Sequence, residues 1–320
     1  MLPHLHQSPV HLLITIRRYA QHSAVFLNFP MMYTYDFQIA NLLIRVTGPF
    51  ELNNFFELSA FSIEHNPDTP PDALYALEFL PEDWTTIKGN KVAEGPHSAV
   101  YEWQNQWHRY FHWSVHSKDR FILVCSNQNE ISRHTIYLQR EFAQRILPQF
   151  HLSAFLAPEA LLLGYNAFFL HAALINWNGK GILFSGPSGI GKSTQADLWA
   201  QIEGAEIING DRAIIRHQND SYIAWGSPYA GTSGIYKNLG TPIAAIVVLS
   251  QGDDNILRPL TALAAFQNIL QEATTAPWDP QFMARLTDLI LNLAEQIPIY
   301  HLSCTPTQEA VEVLKKKLQS

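Results

Sequence analysis

The chain has 320 residues, of which 47% are hydrophobic and 15% are charged. This composition allows about two domains with packed cores and argues against intrinsic disorder. The 21 Lys and Arg against 28 Asp and Glu give a formal net charge of -7, so we expect no extended surface for nucleic acid. Two cysteines, Cys125 and Cys304, are too few for a disulfide framework or a cysteine-rich zinc site. A reducing, cytoplasmic location fits this cysteine usage.

Residues 1–30 form a poorly defined leader, which we leave out of the predicted fold. The Arg17-Arg18 pair follows a short apolar run, whereas a secretory signal peptide carries its positive charge first. No run in the chain approaches the ~18 apolar residues of a membrane span. We therefore expect no membrane partner.

Residues 31–150 are predicted to form a mainly β domain, because short β-type runs alternate with turn residues. The predicted strands are 33–46, 99–103, 110–115, 121–124 and 135–138. An aromatic and histidine cluster lies among them: Trp103, Trp107, His108, Tyr110, His112, Trp113 and His116. Alternation along a strand would place His112, Ser114 and His116 on the same face. That face could bind a metal or another ligand, or it could simply be exposed to solvent. The solvated face is favoured, because no acidic or cysteine partner has ligand-like spacing nearby.

A helical segment, 151–164, is predicted to connect this half to an α/β domain at 165–320. The helical pattern itself extends from 139 to 163 around Pro148 and Pro158. Further strands are predicted at 168–175, 181–185, 206–208, 213–216, 222–225, 243–249 and 299–303. A helix is expected over 192–203, ending at Gly204.

Two helices are predicted from apolar residues at helical spacing. One carries Leu263, Phe266 and Leu270, and the other carries Phe282, Leu286, Leu289 and Leu293. A last helix is expected to begin with a capping box at Thr305 to Gln308 and to end in the lysines 315–317, which favour a helix C-terminus.

The most specific motif follows the predicted strand 181–185 and precedes the predicted helix. It reads Gly186-Pro187-Ser188-Gly189-Ile190-Gly191-Lys192-Ser193-Thr194, which matches G-x-x-x-x-G-K-[ST] in the required strand-loop-helix context. Backbone amides of such a loop bind phosphate at the positive end of the helix. Lys192 would reach the β and γ phosphates and Ser193 would bind Mg²⁺. The alternative is a glycine-rich turn without a ligand.

Asp211 is the carboxylate best placed for this phosphate site. It lies 19 residues after Lys192, just after the predicted strand 206–208. Asp253 and Asp254 follow a glycine turn and resemble exposed loop residues. The alternative is that Asp211 is a simple turn residue without a role in phosphate binding.

The order of these segments resembles the catalytic domain of HPr serine kinase/phosphorylase and its relatives, whose fold is related to ATP-dependent phosphoenolpyruvate carboxykinase. The resemblance covers roughly 165–318 and is carried by His171 to Ile175, Gly181 to Ser185, the P-loop and Gly204 to Asp211. It implies that His171 and Asp211 flank the γ-phosphate, that Lys192 neutralises it, and that Ser193 joins the metal site.

The chain also departs from that family. Kinase members usually carry two adjacent acids where this chain has Gly210-Asp211, so one acidic function is either missing or supplied from elsewhere in the chain. The first half does not resemble the regulatory domain of bacterial HPr kinase, and this argues against HPr as the substrate. The resemblance is closer to divergent kinases that act on peptides or small molecules, including those found beside peptide natural-product genes.

On this basis we assign the role of general base to Asp211, with His171 orienting it or shuttling the proton. A histidine in an apolar strand is ordinarily a satisfied core residue, and only the family order favours a functional role for His171. The segment 226–238 is predicted to be either a flexible loop that closes over phosphate or acceptor, with Ser233 and Lys237 as candidate contacts, or an ordinary surface loop. Arg258 is a candidate transition-state cation, or an ordinary surface arginine.

The predicted fold is α/β: a P-loop kinase domain of the HPr kinase type, with a mixed sheet and flanking helices, after a mainly β (α+β) domain that positions the acceptor. The expected activity is transfer of the γ-phosphate of Mg·ATP to a hydroxyl, most readily serine in a peptide or protein. The alternatives are a small-molecule hydroxyl kinase and a non-catalytic nucleotide-binding regulatory protein. The partners would be ATP, the acceptor and a second copy of the chain in a homo-oligomer.

Overall fold

The computed structural model describes residues 31–52, 56–81, 84, 88–95, 98–112, 121–127, 130–140 and 155–320. The predicted leader, Trp113, Ser114, His116 and the segment around Pro148 lie outside these ranges. The chain from Tyr33 to Ser320 forms one compact unit that contains two β-sheets. None of the helices in these ranges is long and apolar enough to cross a membrane.

The first sheet contains nine strands within the described residues, in the order β3-β1-β2-β4-β9-β8-β7-β6-β5. They are β1 (Tyr33–Ile39), β2 (Leu42–Gly48), β3 (Ser62–Ile63), β4 (Ala73–Phe79), β5 (Asn90–Glu94), β6 (Ser98–Trp103), β7 (Gln106–His112), β8 (Phe121–Asn127) and β9 (Arg133–Leu138). A 3-10 helix, Phe56–Phe61, follows β2. Buried and partly exposed residues alternate strictly along β2, as expected of a strand with one covered face. The predicted strand over 33–46 is instead a hairpin, because Ala40 and Asn41 adopt positive φ angles of 50° and 60°.

The second half contains the second sheet and five α-helices. Its strands are β10 (Ala167–Trp177), β11 (Lys180–Ser185), β12 (Glu206–Asn209), β13 (Arg212–Gln218), β14 (Ser221–Trp225), β15 (Gly240–Gln251), β16 (Ile256–Pro259) and β17 (Ile299–Cys304). Its helices are α1 (Glu159–Gly164), α2 (Lys192–Glu203), α3 (Ala262–Glu272), α4 (Pro280–Gln296) and α5 (Gln308–Gln319), with a 3-10 turn at Gly231–Ser233.

Two long strands, β10 and β15, organise the second sheet. The first residues of β10 pair with β13, and its later residues pair with β11 and β12. Likewise β15 pairs with β14 at its start and then runs parallel to β11 and β17. Parallel strands β11, β15 and β17 therefore present their carboxyl ends on the same edge, where ligands of α/β sheets usually bind.

The helices cover the second sheet with apolar faces. Leu286, Ile290 and Leu293 of α4 are fully buried, which confirms the predicted stripe of that helix. The predicted stripe of α3 is wrong at Leu263, which is 67% exposed, whereas Ala265 and Ile269 are buried. Packing against α4 and β10 determines which face of α3 is buried. The short apolar pattern in the sequence could not specify that face.

The last helix begins later than its capping-box pattern predicts. The helix starts at Gln308 after Thr307, and no side chain caps its N-terminus. Thr305 instead binds the side chain of Asn255: its backbone N–H donates to Asn255 Oδ1 at 3.0 Å. This long-range hydrogen bond removes Thr305 from the cap, and Pro306 stays outside the helix.

The two sheets share one hydrophobic core and several polar contacts. Phe169 and Ile214 of the second sheet belong to the core built on Phe37 and Tyr75 of the first. Trp107 Nε1 donates to Asp279 Oδ2 at 3.2 Å. A cleft opens where these sheets meet, and Phe169 of β10 lines it.

Candidate active site

The P-loop connects the carboxyl end of β11 to α2, as its motif predicts. Gly189 and Gly191 adopt positive φ angles of 80° and 114°, which only glycine adopts at low cost. A Cβ atom added at either position would meet nothing within 4 Å. These glycines therefore let the loop curve around open space without projecting side chains into it.

The concave side of the loop fits a phosphate group. The N-terminus of α2 follows Gly191 and has no side-chain cap, so its first N–H groups are available to an anion at the positive end of the helix dipole. The Nζ of Lys192 donates to the carbonyl oxygens of Gly186 at 2.7 Å and Pro187 at 3.0 Å. Ser188, Gly189, Ser193 and Thr194 are exposed, while Ile190 packs against the core.

Lys192 is a buried cation close to two carboxylates. Lys192 is only 7% exposed. Burial lowers the pKa of its ammonium group, whereas the negative charges of Glu272 and Asp211 act to raise that pKa. Both carboxylates therefore lie within electrostatic range of the P-loop lysine. Asp211 is the carboxylate that the sequence singles out for this site, whereas the sequence did not indicate Glu272.

His171 lies between these two carboxylates. Its Nε2 is 3.4 Å from Asp211 Oδ1, and its Nδ1 is 3.0 Å from Glu272 Oε2. An ionised carboxylate only accepts hydrogen bonds, so the Nδ1–H donates to Glu272 and fixes the orientation of the ring. The side chains of His171 and Asp211 remain 27% and 33% exposed, which leaves both accessible to a substrate.

Each member of this group is positioned by a different element. His171 is on β10, where its carbonyl accepts a hydrogen bond from Ser185 Oγ at 3.0 Å, directly before the P-loop. Glu272 ends α3, and the bridge between Leu170 and Ala273 ties that helix end to β10. Asp211 lies in the turn between β12 and β13.

The turn that carries Asp211 is built around a buried asparagine. Asn209 Oδ1 accepts hydrogen bonds from the backbone N–H of Asp211 at 3.0 Å and of Arg212 at 2.7 Å. Its amide nitrogen donates to the carbonyl of Ser227 at 2.9 Å. Asn209 therefore fixes both the turn and the segment after β14 that packs beside it.

The position of the absent second acid is occupied by a neighbouring side chain. A Cβ at Gly210 would lie 2.0 Å from Ser233 Oγ and 2.5 Å from Ser233 Cβ. Gly231 is equally close to Asp211, because its Cβ would lie 2.6 Å from the carboxyl carbon. The 226–238 loop thus packs against the Gly210-Asp211 pair and leaves no room for a side chain at 210.

The other predicted contacts have different surroundings. Ser233 Oγ donates to the carbonyl of Ala230 at 2.7 Å, and with Ser193 it lines a cleft of about 280 Å³ beside the P-loop. Lys237 forms an ion pair with Glu206 at 2.8 Å, in which both side chains are 43% exposed. Arg258 is exposed on β16, which β17 and β15 separate from β11. The structure therefore does not bring Lys237 or Arg258 to the phosphate cradle.

A metal at this site would depend on the nucleotide for part of its coordination. Within the part of the chain that the structure describes, no three His, Cys, Asp or Glu side chains are grouped to hold a metal by themselves. Mg²⁺ is usually bound by one or two protein oxygens together with substrate phosphates and water. The hydroxyl of Ser193 and the carboxylate of Asp211 have the oxygen chemistry for that arrangement.

Comparison with known proteins gives a family match and matches among solved structures. The family described as "SynChlorMet cassette protein ScmC" matches residues 161–319, just under half of the chain. The chain is also similar to the Hpr(Ser) kinase/phosphatase from Coxiella burnetii, with 14% identity over 47% of this chain and 92% of that chain, and a TM-score of 0.28. A TM-score this low carries no argument about fold or activity. No curated protein matches the chain.

Proposed function

We propose that this chain is a kinase that transfers the γ-phosphate of Mg·ATP to a hydroxyl, with serine in a peptide or protein as the preferred acceptor. The observation that carries the proposal is the meeting of a glycine-rich anion cradle with Asp211, an acid held beside an oriented histidine. Glycine-rich loops of this pattern bind nucleotide phosphates. Phosphoryl transfer needs little more than positioning, charge neutralisation and a base for the hydroxyl proton.

In this proposal the P-loop holds the triphosphate. Loop amides bind the phosphate oxygens, and Lys192 exchanges its carbonyl partners for the β and γ phosphates. Ser193 and Asp211 supply protein oxygens to Mg²⁺, which when bound would neutralise charge on the phosphate groups. The buried position of Lys192 strengthens its attraction to an anion, because little water screens the charge.

The chemical step uses the group around His171. The acceptor oxygen forms a bond to the γ-phosphorus, the bond from that phosphorus to the β,γ-bridging oxygen breaks, and ADP leaves. The hydroxyl proton passes to Asp211, within reach of His171 Nε2. Glu272 is a positioning residue, since it accepts from His171 Nδ1 and keeps Nε2 directed toward Asp211.

Glu272 also supplies a second acidic side chain, which position 210 lacks. Relatives have two adjacent acids at this point, whereas this chain has one acid from the turn and a second from the end of α3. Both act on Lys192. The site therefore retains two carboxylates, and this favours a catalytic protein over a purely regulatory nucleotide-binding one.

A turnover assay tests the proposal. Purified chain is mixed with Mg·ATP and with peptides encoded by neighbouring genes, a choice that the word "cassette" in the matched family description supports. We expect ADP release that requires the peptide, and a mass increase of one phosphate on a serine. ADP release with a small hydroxyl compound but no peptide would favour the small-molecule alternative. Tight ATP binding without turnover with any acceptor would contradict the kinase assignment.

A further inference from the structure

A second cleft, of about 360 Å³, lies between the two sheets next to the candidate active site. Its lining combines aromatic side chains with two arginines: Arg109, Phe111, Phe169, Arg212, Tyr229 and Trp278. Largely apolar concave sites with a few placed polar groups are typical of small-ligand binding. The volume suits a ligand the size of one or two amino acids.

The cleft adjoins the acid and histidine described above, because Arg212, which lines it, directly follows Asp211 in the chain. In the pairing of β10 with β13, His171 lies directly opposite Arg212, so both side chains project from the same face of the sheet. Phe169, two residues before His171, shares that face. The N–H of Thr274, two residues beyond Glu272, donates to the carbonyl of Phe169 at 3.1 Å. A molecule in the cleft could therefore extend a hydroxyl to the active site.

The two arginines that line the cleft differ in their ion-pair partners. Arg109 forms an ion pair with Glu159, and Glu94 forms one with Lys91. Arg212 is half-buried, and no carboxylate among the described residues pairs with it. Its guanidinium carbon lies 5.7 Å from the ring centre of Tyr229. A partly buried guanidinium without an ion-pair partner retains donors for a carboxylate, which it binds in a planar two-bond geometry.

We propose that this cleft is the acceptor site and that the acceptor carries a carboxylate, bound by Arg212, within about one residue of the hydroxyl that receives phosphate. The apolar part of the acceptor packs on Phe169 and Trp278. The carboxylate is either the C-terminus of a short peptide or an acidic side chain beside the serine. This inference rests on the proposed kinase function and defines its substrate class.

The test uses three defined peptides: N-acetyl-Phe-Ser with a free C-terminus, the same peptide as its C-terminal amide, and N-acetyl-Ser-Glu-amide. Affinity is measured by ligand-observed NMR without nucleotide, so that the result does not depend on turnover. We expect at least one carboxylate peptide to bind about tenfold or more tightly than N-acetyl-Phe-Ser-amide, the usual effect of a charge-assisted hydrogen bond. Preference between the two carboxylate peptides identifies the source of the charge.

Variants assign the effect to the cleft. Arg212→Gln should abolish the preference for carboxylate, Arg212→Lys should retain part of it, and Arg285→Gln, which removes an exposed charge on α4, should not change it. Near-UV circular dichroism verifies that each variant is folded. Equal binding of all three peptides, or a preference that survives Arg212→Gln, would overturn the inference.

Turnover separates this inference from the proposed function. In one outcome the chain binds carboxylate peptides selectively through Arg212 but forms no phosphoserine with Mg·ATP. This result would support the assignment of the cleft and contradict the kinase function. In the other outcome the amide peptide is phosphorylated equally well, and Arg212→Gln has no effect on this activity. This result would support the kinase function and contradict the assignment of the cleft.

Discussion

Asp211 projects from a turn whose backbone is fixed by Asn209, so its side chain can change without loss of the turn. We expect Asp211→Asn to keep the shape of the site and a side-chain oxygen for Mg²⁺ but to remove the base, which lowers transfer by at least ~100-fold. Nucleotide affinity should change little. Single-turnover kinetics and calorimetric titration of Mg·ATP measure the two quantities separately. Full transfer by the variant would show that the proton leaves by another route.

Glu272 favours a proton on Nδ1 of His171, because its carboxylate lies 3.0 Å from that nitrogen. Glu272→Ala removes the acceptor of the Nδ1–H, so we expect a mixture of ring tautomers in ¹⁵N NMR and a fall in transfer of about 10- to 100-fold, typical of a lost orienting partner. Glu206→Ala is the matched control, because Glu206 is an exposed acid in an ion pair with Lys237. An unchanged His171 tautomer would contradict the positioning role.

Sequence reasoning could find Asp211 but not Glu272, and the reason is physical. Asp211 follows the P-loop helix and one short strand, so local order along the chain is sufficient to place it near the phosphate site. Glu272 reaches His171 only because α3 ends against β10 at the Leu170–Ala273 bridge. A contact across such a separation depends on tertiary packing, which propensity and spacing do not encode.

At the scale of elements, the loop 226–238 explains the glycine at position 210. We expect Gly210→Asp to destabilise the protein by about 1 to 3 kcal/mol, because the new side chain overlaps Ser233 in a packed region. The double variant with Ser233→Gly should recover part of that loss, since it empties the overlapping volume. Urea unfolding measures both.

The control for this prediction is Ser233→Gly alone, which gives the cost of losing the Ser233 hydrogen bonds. If the effects of the two single variants simply add, the packing explanation for Gly210 is wrong. If they compensate, the loop and the turn form one coupled unit beside Asp211.

The helix α2 shows where sequence reasoning succeeds at this scale. Both of its ends are marked by glycines with positive φ, Gly191 at 114° and Gly204 at 67°, and the predicted and observed bounds agree. The edge strand β16 was missed, because it is short, mostly exposed and has no alternating pattern. The start of α5 was misplaced, because Asn255 competes for Thr305 through a contact that only the folded chain makes.

At the scale of the whole molecule, the first sheet shares a core with the second and also lines the cleft between them. Its mainly β character was predictable from alternating runs. Its packing against β10 was not, because the contacts that join the sheets are between single residues far apart in the chain, such as Trp107 and Asp279. We therefore retain the assignment of the N-terminal half to acceptor binding as a proposal.

Buried histidines of the first sheet should make stability depend on pH. Burial lowers the pKa of His134 to about 4, from an ordinary value of 6.5. Ser126 Oγ and the carbonyl of Ile131 bind its two ring nitrogens at 2.7 and 2.8 Å, which suits a neutral ring. Between pH 6.5 and 4 the unfolded chain binds a proton that the folded chain does not.

The stability that His134 contributes is therefore present above pH 6.5 and is lost as the pH falls toward 4, by up to about 1.4 kcal/mol per pH unit. Urea unfolding at pH 7 and pH 5 measures this slope. We expect His134→Gln to be less stable at pH 7 but to lose less stability on acidification. Equal slopes for the variant and the wild-type chain would show that His134 titrates normally when folded.

The central claim is that the loop of residues 186–194 holds a triphosphate with its terminal group facing Asp211. A crystal structure of the wild-type chain with Mg·AMP-PNP tests this most directly. The account predicts that Lys192 Nζ contacts the γ-phosphate instead of the carbonyl of Gly186, with Asp211 beside the same phosphate. A nucleotide bound elsewhere, or a γ-phosphate directed away from Asp211, would contradict it.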